Sequence, residues 1–387
     1  MTVETALARI DVTKPWLGHE ESLALASVIA SGRLSQGPRV KEFEDAFAVA
    51  QEARHAVATS SCTAALHLAL LIAGVGRGDH VVVPSLSSIA AANAVTYVGA
   101  RPIFCDVDPA TGNVTAETIH AAITIDTRAV IVADHGGVPA DLEQIRLVCD
   151  RHEITVIEDA ACAAGSRYRN RPAGSGSEVA VWSFHRTSIL TTGEGGMLTT
   201  NRSDWAARAR MLREHAISVP GSSRDAFLSP RKVCVEVGYD YRMTDLQAAV
   251  GTVQLKRLPE MVDRRRTIAA AYSRALENLK FLRLVTDPPY GTTNFQTLWL
   301  ELLPGFPASR ERLLAKLADA GISARRGTAA CHRQPAFRWR STDNVRLPHT
   351  ERLSEHTLSL PVFHELDSAS INRVVNVIRN TATPVTP

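Results

Sequence analysis

Seven short β-branched runs, most of them separated by amphipathic stretches, occupy the first two-thirds of the chain and leave few folds open. The runs fall at residues 55–60, 80–84, 102–106, 129–134, 155–159, 179–184 and 197–200. The amphipathic stretches cover 63–75, 88–98, 115–123 and 141–151. Strands that are apolar along their whole length and alternate with helices predict an α/β fold with a mostly parallel seven-stranded sheet, covered on both faces. In open sheets of this kind the ligand lies beyond the carboxyl ends of the strands. Ser60, Ser61, Ser85, Asp134, Asp159 and Ser183 end such runs and should converge there.

The pattern changes near Thr244. Residues 245–278 read as one long helix, bent near Pro259 because proline lacks the N–H that continues the ladder. Strand-like pieces and helical patterns at 309–320 and 368–379 follow. The division predicts a large domain over 1–245, with an N-terminal arm, and a smaller α+β domain over 246–387. The Gly, Ser, Pro and charged residues of 220–234 predict a mobile loop. Arg264, Arg265 and Arg266 lie inside the long helical pattern, where a charge run reads as a solvated face.

A formal charge of +3 over 387 residues gives no reason to expect nucleic acid or an anionic membrane as partner. The six cysteines form no CxxC pair, which suggests reduced thiols in a cytoplasmic protein. The first sixteen residues lack the apolar segment of a secretion signal, and the longest apolar run, 64–75, is too short to span a bilayer. A soluble, cytoplasmic protein is expected.

Two places carry chemistry on their own terms. Ser61, Cys62 and Thr63 close a strand and open a helix, where free backbone N–H groups and hydroxyls suit a phosphate; the same pattern serves as an ordinary N-cap. Asp159 ends a buried strand, so its carboxylate needs a partner. A backbone N–H or an arginine would serve, and so would the protonated pyridine nitrogen of a cofactor.

Taken in order, these pieces resemble the DegT/DnrJ/StrS sugar aminotransferases, enzymes of the fold-type-I class that depends on pyridoxal phosphate (PLP). The resemblance runs through Ser35-Gln36-Gly37-Pro38, Ser61-Cys62-Thr63-Ala64-Ala65-Leu66, Gly78-Asp79, Val138-Pro139-Ala140-Asp141 and Glu158-Asp159-Ala160-Ala161. It continues through Ser183-Phe184-His185, Thr192-Gly193-Glu194-Gly195-Gly196, Gly238-Tyr239-Asp240-Tyr241-Arg242-Met243 and Leu358-Ser359-Leu360-Pro361. It implies a homodimer with cofactor sites at the subunit interface. It assigns Asp159 to the pyridine nitrogen, Ser183 and Thr63 to the phosphate, and Glu194 to a turn that is kept.

Four positions depart from the family pattern. Ser188 stands where the Schiff-base lysine belongs, Ser88 where an aromatic ring stacks on the cofactor, and Cys162 where Gln or His is common. Asp240 stands where an Asn of the partner subunit contacts the phosphate. There is no lysine between Lys41 and Lys232, and Arg186 stays protonated and forms no imine. Lys232, reaching in from a neighbouring subunit, is the one rescue the sequence offers. The remodelling at several positions marks the loss as natural.

Two classes of function follow. One is an enzyme acting on a sugar, nucleotide-sugar or aminocyclitol, with PLP or pyridoxamine phosphate (PMP) held non-covalently as in the family's dehydratase-like members, or with the cofactor lost. His185 and His332 are then the acid/base groups, with Arg325, Arg326 and Arg333 near the entrance for a sugar nucleotide. In the cofactor-free version Asp134, His135, Cys162 and His185 could form a new polar cluster, although their spacing matches no metal motif. The other class is a non-catalytic subunit that completes the site of a lysine-bearing paralogue or supports another pathway enzyme.

Overall fold

The structure, a computed structural model, describes residues 9–218, 233–338 and 345–383. Seven strands form the central sheet: β1 (His55–Thr59), β2 (His80–Pro84), β3 (Arg101–Cys105), β4 (Thr127–Ala133), β5 (Thr155–Asp159), β6 (Val179–Ser183) and β7 (Gly196–Thr200). Their spatial order is β1-β7-β6-β5-β4-β2-β3; β7 alone runs against its neighbours, so the sheet is mostly parallel, as the sequence predicts. Both faces are buried. Val81, Val83, Ala129 and Ile131 pack on one side, while Val82, Val130 and Val132 pack on the other.

The covering helices are α1 (His19–Ser31), α2 (Pro38–Ala50), α3 (Cys62–Ile72), α4 (Ile89–Tyr97), α5 (Ala116–Ala122), α6 (Leu142–Cys149) and α7 (Ser203–Arg213). Helix α8 (Asp245–Leu276) opens on a capping box in which Thr244 and Gln247 satisfy each other's backbone N–H, and it contains Pro259. Helices α1 and α2 both pack on it. Beyond it, β8 (Leu282–Leu284), β9 (Leu298–Leu302), β10 (Arg325–Arg326) and β11 (Thr357–Leu360) form a four-stranded antiparallel sheet. Helices α9 (Arg310–Asp319), α10 (Pro348–His356) and α11 (Ser368–Ala382) accompany that sheet.

The N-terminal arm hydrogen-bonds to the segment beyond α8: Ile10 donates to Gly321 O at 2.9 Å, and Val362 donates to Val12 O at 3.1 Å. Backbone polar groups of an arm need partners, and the small sheet's margin supplies them. The arginine triplet is no solvated face. Arg265 is 4% exposed and donates to Phe295 O and Gln296 O, Arg264 donates to His364 O and Leu366 O, and Arg266 pairs with Asp287. The guanidinium forks satisfy carbonyls of irregular backbone that no ladder reaches. The loop predicted at 220–234, with Lys232, lies outside the described residues apart from its last two. Among the described residues no helix is long and apolar enough to cross a membrane.

Candidate functional site

The carboxyl ends of β1, β4, β5 and β6 share one edge of the sheet, and the reversed strand β7 begins there. Gly196, its first residue, pairs with Thr59 on one side and Ser183 on the other. A Cβ on Gly196 would sit 2.5 Å from the Ser61 carbonyl, so only glycine lets the start of α3 approach this closely. Ser61 caps α3 by accepting from Ala64 N at 3.1 Å, and Cys62 and Thr63 form the first turn. Thus Ser61, Cys62, Thr63 and Ser183 flank one glycine, a helix N-terminus with hydroxyls suited to an anion.

Asp159 ends β5 and is 6% exposed. Its Oδ1 accepts from Ala161 N at 3.2 Å and faces the Cys62 thiol at 3.9 Å, and among the described residues no donor reaches Oδ2. Burial pushes this carboxyl up to about 6. Asp159 borders a cavity of about 230 Å³ together with Ser87, Ser88, Asp134, His135, Cys162, Thr297 and Trp299. Ser88 caps α4 through Ala90 N at 3.3 Å and supplies no ring. Burial pushes the Cys162 thiol up to about 12 and the His135 imidazole down to about 4, so both are neutral near pH 7.

A pair of buried acids adjoins this cavity, and only half of it was legible in the sequence. Asp134 is 1% exposed and accepts from Ala140 N, while Glu158, also 1% exposed, accepts from Gly174 N. Their remaining oxygens, Asp134 Oδ2 and Glu158 Oε2, have no hydrogen-bond partner among the described residues. Burial, and then the charge of Glu158, holds Asp134 well above the usual carboxylate range; burial raises Glu158 too. Burial and the mutual repulsion of two carboxylates with no paired cation favour a proton on at least one of them. Among the described residues no arginine or lysine makes a salt bridge to Asp134, Glu158 or Asp159.

This proton sets a pH test. A carboxyl whose folded pKa is raised keeps its proton where the unfolded chain has lost it, so its contribution to stability falls as pH rises. Asp134→Asn keeps a donor for Glu158 and an acceptor for Ala140 N at every pH. The unfolding free energy of the variant relative to wild type should therefore rise as pH increases above the ordinary carboxylate range, by up to about 1.4 kcal/mol per pH unit, as denaturant titrations at several pH values would show. A constant difference across those pH values would show that no proton is held.

The remaining predicted residues are dispersed. Ser188 is half-buried, with its N–H on His185 O at 2.9 Å. His185 bonds Thr187 Oγ1 through Nδ1 at 2.9 Å and places Nε2 3.7 Å from the exposed Glu194. Asp240 is exposed and held below the usual carboxylate range by a two-pronged pair with Arg242 at 2.8 and 2.9 Å. An Asp240 carboxylate would repel a phosphate that an Asn would hold, and Arg242 offsets that charge within the chain. His332 does not border the Asp159 cavity. Its ring is clamped between Ser85 Oγ at 2.7 Å and Glu351 at 3.3 Å, where it ties the end of β2 to α10. Arg333 is committed to Glu351 and Glu355. Asp134, His135 and Cys162 do meet at the cavity, but among the described residues no group of three ligand-type side chains has the arrangement of a metal site.

Residues 15–379 match the model of the DegT/DnrJ/EryC1/StrS aminotransferase family. The chain belongs to that family. Similar solved structures include the aminotransferase TlmJ of Streptoalloteichus hindustanus, 36% identical over 96% of this chain and 98% of that one, with a TM-score of 0.88. DesV of S. venezuelae, solved with a ketimine intermediate, is 31% identical over 98% of this chain and 100% of its own, with a TM-score of 0.88. DesI, solved in the presence of its TDP-sugar product, is 32% identical over 97% and 93% of the two chains, also with a TM-score of 0.88. The fold is the fold-type-I one of PLP-dependent aminotransferases.

Proposed function

We propose that this family member works without a Schiff-base lysine, on a sugar, nucleotide-sugar or aminocyclitol, with PLP or PMP held non-covalently. The family resemblance that sets Ser188 at the lysine position supports the reading, beside a buried Asp159 carboxyl at the edge of a cavity. Of the chain's lysines, the described ones lie outside the lining of the Asp159 cavity; Lys14 and Lys41 are paired with Glu365 and Asp45. The residues present suit the cofactor. A buried carboxylate with an oxygen lacking a donor fits a pyridinium nitrogen, and the start of α3 with Ser183 fits a phosphate.

When bound, PLP or PMP supplies an electron-withdrawing ring that stabilises negative charge developing on a substrate carbon. Asp159 would keep the ring nitrogen protonated, and the first N–H groups of α3 with the Ser183 hydroxyl would hold the phosphate. The neutral Cys162 and Ser88 border the space without adding charge. His185, on the Ser188 loop with Nε2 turned toward the exposed Glu194, is our candidate for the side chain that carries a proton, although it does not line the Asp159 cavity. His332, engaged at both ring nitrogens, serves better as a fastening. The family's dimer would bring a second chain to the exposed Asp240–Arg242 pair, beside the site.

An absorbance titration with PLP and with PMP, followed by borohydride, tests this. Binding that survives neither dialysis nor denaturation, with no reduced adduct on the protein, is the expected result. A reducible adduct would overturn the lysine-less reading. Absence of binding would remove the cofactor from it. Sugar turnover by the protein alone would then mark cofactor-independent chemistry, and turnover only with a lysine-bearing paralogue would mark a partner subunit.

A further inference from the structure

Between Gly291–Thr292 and β9 runs a five-residue strap, 293–297, in which the Thr293, Asn294 and Gln296 side chains bond to backbone. Asn294 is fully buried and donates to Cys162 O and Ala164 O, both at 2.8 Å. It comes so close to Gly137 that a Cβ there would lie 2.0 Å from Asn294 Oδ1, at a glycine already in the left-handed region with φ of +96°. Gln296 Nε2 donates to Thr187 O at 2.7 Å, and Gln296 Oε1 accepts from Ile189 N at 2.6 Å. Its carboxamide thus pairs with the backbone on both sides of Ser188, as a neighbouring strand would. Thr297, at the end of the strap, donates to Gly136 O at 3.0 Å and borders the Asp159 cavity.

The strap is itself held from α8. Arg265, still a cation although burial lowers it to about 10, donates to Phe295 O at 3.0 Å and Gln296 O at 3.3 Å. Arg266 donates to Thr293 O at 2.7 Å. Phe295 sits between them with φ of +50°, a conformation that a bulky residue keeps only where its surroundings impose it. The Asn294 side chain also accepts from Gln296 N at 2.7 Å, so its two halves are linked.

We propose that Gln296 is the positioning residue of the Ser188 loop, and that the strap it belongs to fixes this loop and the Cys162 turn as one unit around the ligand cavity. The proposal rests on the reading of the Asp159 cavity as the ligand site. Gln296 touches neither ligand nor reacting atoms; it acts through the backbone of Thr187, Ser188 and Ile189.

Two variants test it. Gln296→Met keeps volume and removes both hydrogen bonds; Gln296→Glu keeps the acceptor for Ile189 N and places an oxygen against the Thr187 carbonyl. Amide exchange by mass spectrometry on the unliganded protein should show peptides covering 185–190 exchanging about tenfold faster in Gln296→Met, with β5 and β6 unchanged. PMP affinity by calorimetry should fall about tenfold in Gln296→Met and also fall in Gln296→Glu, without a change in melting temperature large enough to explain it. A pure packing role predicts that Gln296→Met behaves as wild type, and unchanged exchange would overturn the proposal. Faster exchange with unaltered PMP affinity, where wild type binds PMP, would also overturn it. If wild type binds no PMP, the cofactor reading fails by itself, and the exchange result alone decides whether Gln296 holds the loop.

Discussion

A Ser188→Lys variant should take up PLP covalently where the wild type does not. The backbone at this position is already ordered: Ser188 N–H bonds His185 O, and Gln296 holds the residues on either side. A lysine placed here therefore starts from a fixed Cα, and its four-carbon stem is the only part left to order, at a cost of about 2 kcal/mol. Its amine condenses with the aldehyde with loss of water, and borohydride then fixes the product. Intact-mass analysis after reduction should find the added mass on most of the variant and on almost none of the wild type. Peptide mapping should place it at 188. A Ser188→Ala control should behave as wild type, because no hydrogen bond of the Ser188 hydroxyl is seen. Failure of the lysine variant to capture PLP would mean that the changes at Ser88, Cys162 and Asp240 have closed the site to the cofactor, and the non-covalent reading would fall with it.

The second large effect is expected at Asp159. Asp159→Asn keeps the acceptor for Ala161 N and nearly the same shape, so the fold should stand, but it removes the one ionisable group placed for a ring nitrogen. Loss of one partner from a buried charge pair costs about 3 kcal/mol, which corresponds to roughly a 100-fold weaker Kd for PMP. The pH dependence carries the sign. In the unliganded wild type this carboxyl is raised to about 6, so below that pH it is protonated and cannot offer a charge to a pyridinium. PMP affinity should rise as pH increases through about 6 in wild type and lose that step in Asp159→Asn. Fluorescence or calorimetric titrations at several pH values check both. Equal affinities would show that the ligand binds elsewhere.

Much of the fold was legible because period and burial write it into the residues. The seven apolar runs had to be strands buried on both faces, and the N-cap Ser61 and the strand-end Asp159 had to lie at one edge. Residues that act by grasping distant backbone were not legible. Asn294 and Gln296 lie 132 and 109 positions from partners whose carbonyls they hold, and polar residues between two strands carry no periodic signal. The arginine triplet misled for a related reason: a charge in a helical pattern reads as solvated unless the carbonyls that recruit it are known. Asp134 was visible as a strand end, while its pairing with Glu158 depends on the register of β4 against β5, where Val132 faces Glu158 and Ala133 faces Asp159. His332 looked like a substrate group because its loop position is right; only the geometry shows both nitrogens occupied.

The carboxyls at the cavity also impose a direction on whatever enters. With Asp159 ionised above about pH 6, and with no arginine or lysine paired to it, to Asp134 or to Glu158 among the described residues, the floor carries negative charge that nothing described there neutralises. In so small a space that potential repels any phosphate or carboxylate brought to the bottom and draws in an ammonium or a protonated ring. A sugar attached to a diphosphate would have to approach with its sugar foremost, leaving the anionic end at the rim.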